Sequence, residues 1–349
     1  MMMINFMNSN AFDLIFFHLI LVSLAFLLIS YREKISSYLQ IIDYPYNNNL
    51  KIHKLPIPRF GGIILFFYTF FALFLSSITN ITSLKNLSIT VIISIIYFFV
   101  GFIDDRNTLS ANKKSAILIS TLFLTIPLSN EFIINQINFK NLQYSINLQN
   151  GAIFFTIFSI FALYNAFNFS DGINGVAPSL GIFWIIFLII KTSDYTNFYY
   201  QSIFISLVII LYFNIKKKIF LGNSGTNLYS ILISLILIQE NKNNNIFCDE
   251  IFFILFLPGI DMARLTIERI LSGNSPFKGD KKHFHHLLRN LIAEKYIFLV
   301  YIFISILPIF IYNFIIQNFY LLFVFIITSY FIIITLLKKK FMLKNKKIN

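Results

Sequence analysis

A chain of 349 residues that is 57% hydrophobic and only 12% charged is excluded from the soluble globular class, where about a quarter of residues carry charge. Its mean hydropathy of +0.74 agrees. The formal net charge of +13 would suggest nucleic acid in a soluble protein, but here it reads as loop charge on a polytopic membrane protein. The single cysteine, Cys248, excludes an internal disulfide.

In chain order the apolar runs predict an all-α protein of about 11 transmembrane helices, forming one integral-membrane domain over residues 1–349. The spans are 12–31, 60–79, 87–103, 115–128, 151–167, 178–190, 198–213, 226–238, 251–267, 296–316 and 319–337. A crossing needs about 20 apolar residues. Runs 115–128, 178–190 and 226–238 fall short, so either their flanks continue them or they lie tilted inside the bundle. The first run is read as a span and not a leader, because no small-residue cleavage site follows it and Tyr31-Arg32-Glu33-Lys34 reads as a cytoplasmic stop. Between spans four and five, residues 132–139 and 144–148 partly alternate around Lys140-Asn141, which predicts a small periplasmic β-hairpin at about 130–150.

Alternating the spans divides the Lys and Arg residues unevenly. One set of loops takes 24 of the 28; the other takes Lys85, Lys140, Lys191 and Lys242. The positive-inside rule then puts the N-terminus outside and the C-terminus in the cytoplasm.

Each unusual polar cluster falls on the predicted cytoplasmic side. The first is Asp43-Tyr44-Pro45, followed by Lys51-Ile52-His53-Lys54-Leu55-Pro56-Ile57-Pro58-Arg59-Phe60-Gly61-Gly62. Span three then ends in Asp104-Asp105. Charge at a bilayer boundary is expensive, and paired carboxylates suit a magnesium-bound phosphate or activation of a phosphate nucleophile. After span five, Asn165 and Asn168 share a helix face, and Asp171-Gly172 and Asn174-Gly175 supply two turns. Gly222-Asn223-Ser224-Gly225-Thr226 opens span eight. Free backbone N–H groups there offer an anion site, with plain capping by Ser224 or Thr226 as the simpler alternative. Finally, His283, His285 and His286 are three of five histidines. No cysteine is near and basic residues surround them, so a phosphorylated or sugar-bearing substrate fits better than zinc. Together these clusters point to a diphosphate, with a second reactant entering from the lipid.

In this order the motifs resemble the polyprenyl-phosphate N-acetylhexosamine-1-phosphate transferases, of glycosyltransferase 4 type. That family includes the enzymes that begin O-antigen and related glycans and the peptidoglycan phospho-MurNAc-pentapeptide transferase. The resemblance runs from about Asp43 to His286 over six motifs. The string from Ser275 to Leu288, with Pro258 and Asp261 before it, is similar to the O-antigen-initiating branch. It implies ten or eleven helices in a bacterial inner membrane, a cytoplasmic active site, a UDP-sugar donor, undecaprenyl phosphate as acceptor, UMP as product and a homodimer. It implies Mg²⁺, with Mn²⁺ as a substitute. By the same resemblance Asp104 is a base or orienter of the lipid phosphate, and Asp105 lies near metal and diphosphate. Lys114 approaches phosphate, and Asn168 and Asn223 are metal ligands. Asp171 and Asn174 line the nucleotide pocket, while His283, His285 and His286 contact diphosphate and sugar. Two positions depart from the family pattern. Asn223 stands where Asp is usual, which lowers the expected metal affinity, and Asn174 stands where some members have Asp. Two other readings stay open at this level: a transporter of a lipid-linked or anionic solute, and a catalytically weak homologue acting as a binding subunit.

Overall fold

The computed structural model describes residues 2–45, 53–78, 83–140, 145–193, 197–275 and 282–346. Backbone groups in lipid must be satisfied within their own segment, so each long apolar run coils into a helix. Every one of the eleven predicted runs falls on one. They are α1 (Met2–Ser30), α3 (Gly61–Ile78), α4 (Leu84–Arg106), α5 (Ala111–Thr125), α6 (Ala152–Ser170), α7 (Val176–Thr192), α8 (Phe198–Ile215), α9 (Gly222–Lys242), α10 (Cys248–Leu271), α12 (Glu294–Phe314) and α13 (Phe319–Lys346). Two more helices, α2 (Arg32–Leu39) and α11 (Phe284–Leu288), lie between runs. Among the described residues five helices are long and apolar enough to cross a membrane, or six if α1 and α2, bent by 68° at their junction, count as one span. The chain is a multi-pass membrane protein.

The central element is α9. Most of its length is buried, from Gly222 through Leu228, Leu232 and Ile236 to Asn241, against α3, α4 and α6. This explains why run 226–238 looked short. A helix shielded by other helices carries polar residues that a lipid-facing one does not. Two glycines let the backbones meet. A Cβ on Gly101 of α4 would lie 2.3 Å from the Asn223 carbonyl oxygen, and one on Gly62 of α3 would lie 2.3 Å from Ser224 Oγ.

Two small sheets lie outside the bundle. Strands β1 (Ile42–Asp43) and β2 (Ile57–Pro58) pair antiparallel with Asp43 opposite Ile57. They are too short to leave a periodicity in the sequence. Lys51 and Ile52 of the adjoining motif lie outside the described residues. Strands β3 (Gln136–Asn138) and β4 (Ser145–Asn147) form the predicted hairpin, with Ile137 opposite Ile146. It is shorter than the two alternating stretches, and Asn141 at its turn lies outside the described residues. Lys140 ties the hairpin down. Its N–H donates to Asp249 Oδ2 at 3.1 Å and its ammonium to Glu250 Oε1 at 3.3 Å. Lys191 also pairs with Glu250, and Lys242 lies 3.5 Å from Glu131. Three of the four lysines at this end are thus neutralised by local acids.

Candidate active site

The opposite end of the bundle gathers four chain segments. These are the β1–β2 pair, the last turn of α4, the turn after α6 and the first turn of α9. Asp105 joins them. Gly222 adopts a φ of +76°, and a Cβ there would stand 2.7 Å from Asp105 Oδ2. The resulting turn aims the first amides of α9 at that carboxylate. Oδ1 accepts the Asn223 N–H at 2.8 Å; Oδ2 accepts the Ser224 N–H at 2.9 Å and the Ser224 hydroxyl at 2.8 Å. The anion site expected at this helix start is therefore filled by the chain's own carboxylate. Ser224 does not cap the helix; it adds a third donor to Asp105.

Arg59 closes the next side. Its Nη1 donates to the Asp105 carbonyl at 3.0 Å and lies 3.6 Å from Oδ1, while Nη2 donates to Asp43 Oδ1 at 2.7 Å. His53 Nε2 is 3.4 Å from Asp43 Oδ2. Asp104 turns the other way. It accepts the Leu109 N–H at 2.7 Å and the Lys114 ammonium at 3.0 Å. Lys114 also donates to Asn223 Oδ1 at 3.2 Å, and Asn168 Nδ2 donates to the same oxygen at 3.3 Å and to Thr226 Oγ1 at 3.0 Å.

These residues surround a cavity of about 340 Å³. Its walls carry the acids Asp43, Asp105, Asp171 and Glu294, the bases His53, Arg59 and Lys217, and the amides Asn168, Asn174 and Asn223. Burial, and next the negative charge of Asp105, push the Asp171 carboxyl up to about 8, against the pull of Arg59. At neutral pH it is mostly the acid and can donate a hydrogen bond.

Of the expected site residues, Asp105, Asn168, Asp171, Asn174 and Asn223 line the cavity, whereas Asp104 and Lys114 stand behind Asn223. Asn165 does not join them; its amide donates to Phe161 O in its own helix. The three histidines are a layer further out. His283 Nδ1 lies 3.0 Å from Asp261 Oδ2, which fixes Nδ1 as the protonated nitrogen. Asp261 also accepts the Phe284 N–H at 3.1 Å, Arg264 Nη2 at 2.7 Å and the Tyr330 hydroxyl at 2.8 Å. His285 stacks on His283 at 5.6 Å with planes 7° apart. Burial, then His286 and His283, hold its pKa well below the usual imidazole range, so it is neutral. A Cβ on Gly172 would stand 2.4 Å from His285 Nε2 and 2.8 Å from His286 Nε2. The loop therefore backs the Asp171–Asn174 turn, and His285 supplies no positive charge. Residues 276–281 of that motif lie outside the described residues.

Sequence reasoning assigned no role to Arg59, Asp43, His53, Glu294 or Arg264. Arg59 had a signal: a lone cation between two prolines and a Gly-Gly pair at a membrane boundary. Lys217, whose place in the Lys216–Lys218 run suits a membrane-surface anchor, donates to Glu294 Oε1 at 2.9 Å on the cavity wall.

As arranged, the donor set does not fit a divalent cation at Asn168 and Asn223. Magnesium needs open oxygens. Asn223 Oδ1 already takes two donors, and both oxygens of Asp104 and of Asp105 are engaged. Among the described residues no group of three or more His, Cys, Asp or Glu side chains could hold a metal ion.

The model of glycosyl transferase family 4 matches residues 86–241, from α4 through α9, and so takes in every cavity residue from Asp105 to Asn223. The chain is 26% identical over 267 residues to the undecaprenyl-phosphate alpha-N-acetylglucosaminyl 1-phosphate transferase of Salmonella typhi, covering 73% of this chain and 71% of that protein. It is 24% identical over 301 residues to the decaprenyl-phosphate N-acetylglucosaminephosphotransferase of Mycobacterium leprae, covering 77% and 75%. With the Escherichia coli K12 counterpart of the Salmonella protein it shares 23% over 273 residues, covering 75% and 72%.

Proposed function

We propose that the chain is a member of glycosyl transferase family 4, whose model matches residues 86–241, and that it transfers a sugar-1-phosphate from a UDP-sugar to undecaprenyl phosphate. N-acetylhexosamine-1-phosphate is the group transferred, UMP is released, and a lipid-linked glycan is begun at the cytoplasmic face of a bacterial inner membrane. The names of the relatives support the acceptor class and the amino sugar. The observation that carries the reading is the cavity at one end of the bundle, where Arg59, Asn168, Asp171 and Asn174 converge beside the α9 N-terminus.

In this reaction an oxygen of the lipid phosphate bonds to the sugar-bearing phosphorus of the donor. The bond from that phosphorus to the bridging oxygen breaks, and UMP leaves with the oxygen. Such a transfer asks for positioning and electrostatic stabilisation more than for covalent help from the protein. Arg59, held by Asp43 and by the Asp105 carbonyl, is the guanidinium available to a diphosphate. Protonated Asp171 and the amides of Asn168 and Asn174 offer both donors and acceptors to a nucleotide. Asp104 acts through Lys114 and the Leu109 turn, which it holds behind Asn223.

Purified protein with undecaprenyl phosphate should release UMP from at least one of a panel of UDP-N-acetylhexosamines. Absence of UMP across the panel refutes the proposal. Movement of an anionic solute into vesicles without UMP would favour the transporter. Asp104→Asn should lower turnover by about 100-fold, the scale on which misplaced catalytic groups act; unchanged turnover removes Asp104 from the machinery.

A further inference from the structure

Asn223 stands where the resemblance leads one to expect a carboxylate, and its surroundings explain how an amide serves there. Its Oδ1 accepts the Lys114 ammonium at 3.2 Å. The same ammonium is 3.0 Å from Asp104 Oδ2 and lies 5.7 Å from the centroid of the Tyr164 ring. Lys114 and Asp104 are each 8% exposed, so this is a buried arrangement. The second Asp104 oxygen is satisfied by the Leu109 N–H at 2.7 Å. Asn168 Nδ2 reaches Asn223 Oδ1 from the cavity side at 3.3 Å.

One negative charge, one positive charge and one neutral amide thus close on themselves with no net charge. A carboxylate at 223 would leave the trio one unit negative, and a small divalent ion seeks such charge-rich oxygen. With an amide, that ion must instead displace a buried ammonium from its carboxylate and accept a neutral oxygen in return. Breaking a buried pair is costly because the displaced charge is left without a partner.

We infer that in this chain the Lys114 ammonium is the resident cation between Asp104 and Asn223. The substrate-free protein then has no tight divalent-ion site at Asn168 and Asn223, and any magnesium used in turnover arrives on the donor diphosphate. The last clause rests on the proposed transfer reaction; the rest is a property of the free protein.

The test is a Mn²⁺ titration of the full-length protein in phosphatidylcholine nanodiscs without nucleotide, with free and bound ion read by electron paramagnetic resonance. Wild type should show no saturable binding tighter than about 1 mM, the weak end of oxygen-ligand sites. Asn223→Asp should bind one Mn²⁺ about tenfold tighter or more, the scale of one added charge-assisted contact. Lys114→Gln should also tighten binding, by removing the competing ammonium. Micromolar stoichiometric binding to wild type that Asn223→Ala abolishes overturns the inference. So does an Asn223→Asp protein that binds no tighter than wild type. If Asn223→Asp does not fold, the wild-type and Lys114→Gln titrations decide. UMP release measured on the same preparations keeps the two readings apart. No UMP sinks the transfer reaction, whereas tight Mn²⁺ binding by free wild type sinks only the resident-lysine assignment.

Discussion

Asp105 serves the fold as well as the cavity. One carboxylate satisfies two backbone N–H groups and a hydroxyl at the start of α9, donors that would otherwise be buried without partners. Asp105→Asn offers one oxygen where two were used, and should destabilise the protein by about 1–3 kcal/mol. The only tryptophan, Trp184, is fully buried, so its fluorescence can report thermal unfolding of the variant; an unchanged midpoint would remove Asp105 from this anchoring role. Asp171 carries a pH dependence. Its folded pKa of about 8 is above the unfolded value of about 3.9. The stability it contributes is complete below the unfolded pKa and lost as pH rises through about 8. Thermal midpoints should therefore fall from mildly acid pH towards pH 8 and level off beyond it. In Asp171→Asn that part of the decline should vanish, and a variant with the wild-type profile would contradict the assignment. The sequence pointed to both residues. What it could not convey is that Asp105 faces the chain's own amides while Asp171 faces the cavity, because that depends on where α9 starts relative to α4.

At the scale of elements, the long helices were legible because apolar runs in lipid have few other ways to satisfy their backbones. The hairpin was legible in part through its alternation, although only three residues on each side pair. The β1–β2 pair was not, since two-residue strands have no period, yet it places Asp43 and Arg59 at the cavity. Helix α9 read as an underlength span because its polar first turn faces inward, against Asp105. The contact between α4 and α9 depends on Gly101. In Gly101→Ala the added methyl meets backbone at 2.3 Å, which a rotamer change cannot relieve. The variant should be less stable by about 1–3 kcal/mol, the usual cost of overpacking, and should lose activity with the displacement of Asn223. A wild-type melting curve together with wild-type UMP release would show that the two helices do not meet so closely.

At the scale of the whole molecule, the cavity opens at the end that carries most of the basic residues, and the hairpin end holds three of its four lysines in ion pairs. By the positive-inside rule we propose that the cavity faces the cytoplasm. In a Cys248→Ser background, Asn245→Cys should react with a membrane-impermeant maleimide added outside intact cells, and Lys216→Cys should react only after the membrane is opened. The reverse pattern would invert the proposed orientation. The sequence by itself determined the helical membrane class, the order of the apolar helices and the gathering of polar motifs at one end, because these follow from local apolarity and from charge counted along the chain. Which of those polar groups meet a ligand and which meet one another was decided only by tertiary structure. Asp104 to Lys114, Asp105 to the start of α9 and His283 to Asp261 are pairings across helices. The second arises from how closely the glycine-lined backbones of α4 and α9 approach, a distance that no spacing along the chain encodes.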